Sequence, residues 1–444
     1  MRNVFYEGGL SMALKFLPNA ILLIGVLRYM AKGHGKIYFP KIVTGKHLFF
    51  WLIFLLLFIG SLLRTAYPTA TPVGMFNDSF SVIFLNLLAF LWVGVEVRKG
   101  QDFEEVFNRV VFRFLIIVGA VVTMYCFLYF FGYKDPRTPL QRGGELNVLL
   151  KLVGISLMKK MIPYTASMHP NTISIWAGAT FIMTTIYWYV VKTTFSRKMW
   201  LYAIMFFAGI FMMIADSRGT ALMVVLGMGL VAITYFSNAT GFLRVFVLSV
   251  PFLPFMFMLG LQAMSHASFL STFSRTGDAE NVTTMSGRTH IWAECIKEIE
   301  KFKLQHLVGW GEHGQSTAGV SKNYTQWFGE DEYEYGYDLI VTHNFFFQVF
   351  FDTGYLGVLF FMLSSLAVMN GAIYLYNRGY KAALIFVGMS LYYVLSGALE
   401  SNFGNHNRGY NEVMMMSFVI LLAFKNEFLR LQTTYQRDNI LVPV

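Results

Sequence analysis

Three residues stand out for chemistry: Arg218, Arg288 and His343. Arg218 and His343 are charged or titratable groups in or beside long apolar runs, where such a group is costly and needs a reason, and Arg288 lies in the polar stretch between two such runs. Arg218 lies in ADSRGTAL, between two apolar runs joined too tightly for a loop. Its guanidinium is thereby held at a membrane surface, near the level of a lipid phosphate. An interface anchor, or a partner for Asp216, is the structural alternative. Arg288 lies in TMSGRTHIWAECIKEIEKF, where Ile291, Cys295, Ile299 and Phe302 recur at helical spacing and Ser286 is the expected N-cap. Arg288 then falls in the first turn, where a helix N-terminus and a guanidinium together favour an anion and can hold phosphate oxygens bidentately. Pairing with Glu294 is the alternative.

His343 opens THNFFFQVFFDTGYLG. Asn344, Gln348 and Asp352 follow at helical spacing and form one polar stripe on an apolar helix. Such a stripe is expected to face the bundle interior or a water-filled cavity, with His343 at its outer mouth. A neutral imidazole there is suited to general-base catalysis; an interfacial His bonding its neighbours is the other reading. His169, Pro170 and Asn171 read as a helix start. His266, His290, His306 and His313 lie scattered, with no HxxxH or HExxH spacing. GWGEHG (309–314) reads as a turn rather than a phosphate nest. Cys126 sits in an apolar run and Cys295 in a loop, so no disulfide is expected. No P-loop or GxSxG motif is present, and neither a metal nor a cofactor is expected.

The elements that must position these residues are membrane spans. Of 444 residues, 56% are hydrophobic and only 14% charged, well below the charge of soluble domains. Apolar runs long enough to cross a bilayer recur near 10–31, 48–64, 80–97, 114–132, 172–191, 199–215, 219–236, 244–262, 343–376, 382–397 and 412–424. An all-α integral membrane protein of about eleven (ten to twelve) transmembrane helices is expected. The run at 343–376 exceeds what a bilayer needs, implying tilt or projection beyond the membrane. Residues 1–262 form the first eight helices, 263–342 a large outer loop, and 343–444 the last three helices and a tail. No small-residue cleavage pattern occurs before the first run, so no cleavable signal is expected.

Lys and Arg crowd every odd-numbered loop and the tail, for example Lys36 and Lys41, Arg98 and Arg109, Arg197 and Lys198, Arg244, and Arg378 and Lys381. These segments are therefore expected to be cytoplasmic and the N-terminus outside. The same loops explain the net charge of +10 without nucleic acid, for which no binding motif is present. Segment 133–171 breaks the pattern: it lies outside yet carries Lys134, Arg137, Arg142, Lys151, Lys159 and Lys160, and its apolar stretch suits an interfacial helix. The acidic cluster GEDEYEYGYD (329–338) reads as a solvated surface. Arg218, Arg288, His343 and the basic segment all fall on the outer side, which points to an outward-facing site for an anionic substrate. A transporter or flippase usually shows internal repeats and charges near the midplane, neither of which is seen. A scaffold would not need these groups on one side.

At these residues the sequence resembles the O-antigen ligase/polymerase superfamily. That family's ligases carry His-Asn/Ser/Gln, nine residues, then Gly-x-x-Gly/Thr/Tyr; here these are His343, Asn344, FFFQVFFDT, Gly354, Tyr355, Leu356 and Gly357. The family's outer Ser-Arg junction is matched by Ser217 and Arg218, and its loop Gly-Arg segment by Gly287, Arg288, Ile291 and Trp292. MHPNTISIWAG (168–178) looks like its Asn-Pro-Asn segment, with His169 in place of the first Asn. Order and spacing agree over about residues 165 to 365. The resemblance implies a membrane glycosyltransferase of the lipid-donor (GT-C-like) type, inverting and metal-independent. Its donor would be a glycan on undecaprenyl pyrophosphate at the periplasmic face of the bacterial inner membrane. The acceptor would be lipid A–core for a ligase, or a second lipid-linked glycan for a polymerase. The implied catalytic residues are Arg218, Arg288 and His343; Asn344, Ser217, Asn171, His169 and Arg142 are expected to bind substrate.

Overall fold

A computed structural model describes residues 9–31, 45–65, 72–99, 102–130, 170–215, 217–237, 240–263, 287–325, 341–400 and 408–440. Among them the chain is helical, without strands. The helices are α1 (Gly9–Ala31), α2 (Gly45–Leu62), α3 (Pro72–Val97), α4 (Phe103–Phe130), α5 (Pro170–Val190), α6 (Phe195–Ala215), α7 (Arg218–Ser237), α8 (Gly241–Ser249) and α9 (Leu253–Ala263). After these come the loop helices α10 (Arg288–Glu300), α11 (Gly314–Thr317) and α12 (Val320–Thr325), then α13 (Phe345–Asn377), α14 (Leu384–Leu399) and α15 (Arg408–Ile440).

Each apolar run expected to span falls on helix. Six helices among the described residues are long and apolar enough to cross a membrane: Gly74–Val97, Phe103–Met124, Phe195–Ala215, Arg218–Ser237, Phe345–Asn377 and Lys381–Leu399. Two expectations need correction. The run at 244–262 is not one helix: α8 and α9 are joined by a 3-10 turn at Val250–Phe252, because Pro251 and Pro254 remove amide donors there. The long run at 343–376 is not continuous either. Gly354 has φ 72° and ψ −171°, which breaks α13 soon after its first turns.

The bundle is organised around α14, every residue of which is buried. It packs against α5, α7, α13 and α15, while α2 lies along α13 and α3 along α1 and α15. A helix apolar on all sides has to be enclosed by other helices or lipid, and here helices enclose it. Tyr392 of α14 donates to the Ile175 carbonyl of α5 at 3.1 Å. Gly219, at the start of α7, lies against Leu399 at the end of α14, where a Cβ would stand 3.4 Å from its Cδ1. The starts of α5 and α7 and the end of α14 therefore share one end of the bundle.

Basic residues gather where helices end at the opposite side. Glu96 is buried and takes Lys99 at 2.6 Å, Arg109 at 3.6 Å and Arg113 at 3.8 Å. Arg244 donates to Asn370 at 2.7 Å, and Arg378 lies over the rings of Tyr374 and Phe428.

Candidate active site

The site is assembled by three chain segments that meet at the end of α14. The first is the start of α13. Asn344 is its N-cap: the side-chain oxygen accepts from the amides of Phe346 (2.9 Å) and Phe347 (3.1 Å), and the side-chain amide donates to the Ala398 carbonyl at 3.0 Å. The cap satisfies orphan helix donors and ties α13 to α14 in one stroke. Asn344 is thus buried beneath the site. His343, just before the cap, is held at φ 48°, a backbone region that few residues other than glycine adopt. That turn carries its imidazole out of the helix line.

The second segment is α10. Its N-cap is Gly287, at φ 84°, and Arg288 is its first helical residue, so Ser286 is not the cap. Ile291, Trp292 and Cys295 are buried, and the Trp292 indole donates to the Thr342 carbonyl at 3.0 Å. One indole bond therefore fixes the helix bearing Arg288 to the residue before His343. Phe302 does not belong to this apolar face: it lies past the helix end and is exposed. Burial raises the Cys295 thiol well above its ordinary value, and it forms no disulfide.

The third segment is the end of α14, where Glu400 is the C-cap residue. Arg288 donates through Nη2 to Glu400 Oε1. The other carboxylate oxygen, Oε2, lies 3.1 Å from His343 Nδ1. All three side chains are largely shielded, with a minority of each surface still open. Glu294, the acid expected as a partner for Arg288, pairs instead with Lys297.

Ser217 and Arg218 begin α7. The Ser217 carbonyl accepts from the Ala221 amide at 3.1 Å, and its hydroxyl meets Thr220 Oγ1 at 3.0 Å. Ser217 is buried and Arg218 half-buried, at the same end of the bundle as Glu400. Asn171 falls in the first turn of α5, at that end too, but its side chain lies outside the described residues, as do His169, Arg142 and Asp216. The acidic 329–338 cluster and nearly all of segment 133–171 also lie outside them.

The polar stripe of α13 does not line a water-filled cavity. Gln348 Nε2 donates to Gln315 at 2.8 Å and to Asp352 at 2.9 Å, and Asp352 Oδ1 accepts the Gly314 amide at 3.0 Å. The stripe docks the loop between α9 and α13. The break at Gly354 completes that docking. It frees the carbonyls of Phe351 and Asp352, which accept from the amides of Trp310 (2.8 Å) and Gly311 (3.0 Å). Backbone meets backbone here. A Cβ on Gly309 would stand 2.5 Å from the Thr353 nitrogen, and one on Gly354 would stand 2.5 Å from the Val308 nitrogen. GWGEHG is therefore a docking turn. Arg64, following α2, secures it further through the carbonyls of Val308 (3.1 Å) and Gly309 (3.3 Å).

Residues 201–362 match the family model described as O-antigen ligase. The segment runs from within α6 to the middle of α13, including Arg218, Arg288, His343 and the Gly354 break. The match supports the O-antigen ligase/polymerase superfamily for this part of the chain. That assignment implies an O-antigen ligase-type or polymerase-type, glycosyltransferase-like function at a membrane. No curated protein matches the chain.

Glu400 is the site residue that the sequence did not single out, and it lies beyond the matched segment. Its signal was an acid ending an apolar run on the same side as Arg218 and Arg288.

Proposed function

We propose that this protein transfers a glycan from undecaprenyl pyrophosphate to an acceptor hydroxyl at the periplasmic face of the inner membrane, acting as an O-antigen ligase with lipid A–core as acceptor. The observation that carries the reading is Glu400, whose two oxygens engage Arg288 and His343. The carboxylate on Nδ1 selects the tautomer with its proton there and leaves Nε2 as the basic nitrogen. This is how a base is oriented for abstracting a hydroxyl proton.

In the reaction, His343 Nε2 takes the proton from the acceptor hydroxyl as its oxygen attacks the anomeric carbon. The bond from that carbon to the pyrophosphate oxygen breaks, and undecaprenyl pyrophosphate leaves with the electron pair. Glu400 stabilises the imidazolium that forms. Arg288, aimed by Glu400, and Arg218, at the same end of the bundle, offset the charge on the leaving pyrophosphate. Attack opposite the leaving group inverts the anomeric centre, and guanidinium groups serve where other enzymes use a metal. The basic 133–171 segment attracts the anionic donor.

The test uses purified protein in lipid, labelled undecaprenyl-pyrophosphate oligosaccharide, and no divalent metal, with and without lipid A–core. Label reaching lipid A–core with wild type but not with Arg288→Ala supports the ligase. A ladder of longer lipid-linked products without added acceptor replaces it by a repeat-unit polymerase of the same superfamily. No transfer in either arm overturns the enzyme reading in favour of a transporter or flippase.

A further inference from the structure

The segment joining α10 to the docking turn, residues 301–308, is inside out by the standards of a water-facing loop. Leu304 is 79% exposed and Phe302 63%, with Leu307 and Val308 also substantially open. His306, between them in sequence, is 0% exposed. It is enclosed by the rings of Trp310, Phe350 and Tyr355, and its Nδ1 accepts the Lys303 amide at 3.0 Å. Gln305 stays exposed, with its side-chain amide donating back to the Gly309 carbonyl. Water would select the opposite arrangement, with the leucines in and the imidazole out. Phe302 is also held at φ 23°, outside the regions a phenylalanine favours, and this backbone turns its ring away from α10.

The exposed tip does not stand alone. The Phe302 ring stacks on Tyr355, with centroids 6.2 Å apart and planes at 28°. Tyr355, Leu356 and Leu359 are the open residues of α13 just past its break, on a helix apolar and long enough to cross a membrane. The apolar surface of the tip thus continues directly into the outward face of a membrane helix. Lys301 and Lys303 flank it with exposed side chains, both paired to Glu298.

We propose that residues 301–308 form a wedge that inserts into the outer leaflet of the bilayer, with lipid acyl chains as the partner of Phe302, Leu304, Leu307 and Val308. Charge decides how it binds. Lys297, Lys301 and Lys303 are matched by Glu294, Glu298 and Glu300, and Arg64, bonded to the Val308 carbonyl, adds one positive charge, so the tip is close to neutral and headgroup charge is not what holds it. Insertion is apolar, with the lysine stems reaching along the interface. Because α10 runs from Arg288 to this tip, the wedge also sets the height of Arg288 against the membrane surface. The inference rests on the membrane reading of the helices and not on the transfer reaction.

The test places an environment-sensitive fluorophore on Leu304→Cys and, separately, on Asn323→Cys, an exposed position on α12. Both are made where Cys126 and Cys295 are Ala, which leaves no unpaired hydroxyl at the buried position 295, and reconstituted in bilayers whose lipids carry a nitroxide near the headgroup. Loss of most emission at Leu304 with little loss at Asn323, equal in zwitterionic and anionic bilayers, supports the wedge. Emission at Leu304 as water-exposed as at Asn323 overturns it. So does shielding at Leu304 that appears only as protein density rises, which assigns the tip to a second copy of the chain. Quenching that requires anionic lipid overturns the apolar mode of binding. A Val308→Cys label gives the same readout should the Leu304 variant fail to fold.

Discussion

Glu400 Oε2 stands 3.1 Å from His343 Nδ1, although the two residues lie 57 positions apart in the chain. In the proposed reaction the pairing makes Glu400 a positioning residue, acting on an acceptor only through His343 and Arg288. Glu400→Gln keeps shape and a hydrogen-bonding side chain but not the charge that stabilises an imidazolium. Turnover is expected to fall about 10²-fold, less than on removing the base. A steady-state assay checks this by showing kcat falling with KM for the acceptor little changed. A rise in KM at constant kcat would refute the positioning role.

Removing the base itself is the sharper perturbation. His343→Ala is expected to lower kcat by about 10²- to 10⁴-fold. Glycolipid profiles in cells should then show undecaprenyl-linked glycan accumulating, as they should for Arg288→Ala. Normal transfer by either variant contradicts the assignment of that residue.

Arg288→Lys separates charge from geometry. A lysine retains the positive charge but not the planar fork that bonds Glu400 and, in the proposed reaction, a phosphate oxygen as well. The variant is expected to behave more like Arg288→Ala than like wild type, with a loss of about 10²-fold or more. Thermal unfolding in detergent should be nearly unchanged, since α10 is held chiefly by Ile291, Trp292 and Cys295. Wild-type turnover in Arg288→Lys would mean that a point charge suffices.

The helices were legible because a bilayer imposes length and apolarity on each segment, and those properties survive in the chain itself. His343 was legible because an imidazole is conspicuous where an apolar run opens, and Arg288 because it falls in the first turn of a helix that the spacing of Ile291, Cys295 and Ile299 reveals. Glu400 was not, since SGALESNFG reads as an ordinary helix end and its meaning arises only where α14 meets α10 and α13. The stripe Asn344, Gln348 and Asp352 was seen, but its partner was not. Its spacing left open whether it faces the bundle interior or a cavity, and the loop amide of Gly314 and side chain of Gln315 that cover it come close only in the fold.

The break in α13 yields a stability prediction. Gly354→Ala places a Cβ at φ 72° and against the backbone of Leu307 and Val308. A destabilisation of about 1 to 3 kcal/mol is expected from the strain, and more if the turn is displaced. Melting temperature should fall together with turnover, because α10 carries Arg288 and leads directly into this turn. A variant with native melting and native activity would show that the kink and the docking are dispensable.

Docking of the same turn should weaken in acid. Burial holds the His306 imidazole below its ordinary value, although Glu298, 3.7 Å away, pulls the other way. Burial alone would raise the Glu298 carboxyl, but hydrogen bonds from Lys301 and Lys303 outweigh it and hold that group below its ordinary value. Both shifts have the same sign for stability. As pH falls below about 6.5, an undocked segment binds a proton at His306 that the docked segment resists. Further acidification protonates Glu298 and releases the lysines. Amide protection across residues 303–310, corrected for intrinsic exchange, should therefore drop between neutral and mildly acidic pH and recover on return. His306→Gln should flatten the first part of that drop, because the substituted amide does not titrate. A drop of equal size in the variant would place the acid sensitivity elsewhere.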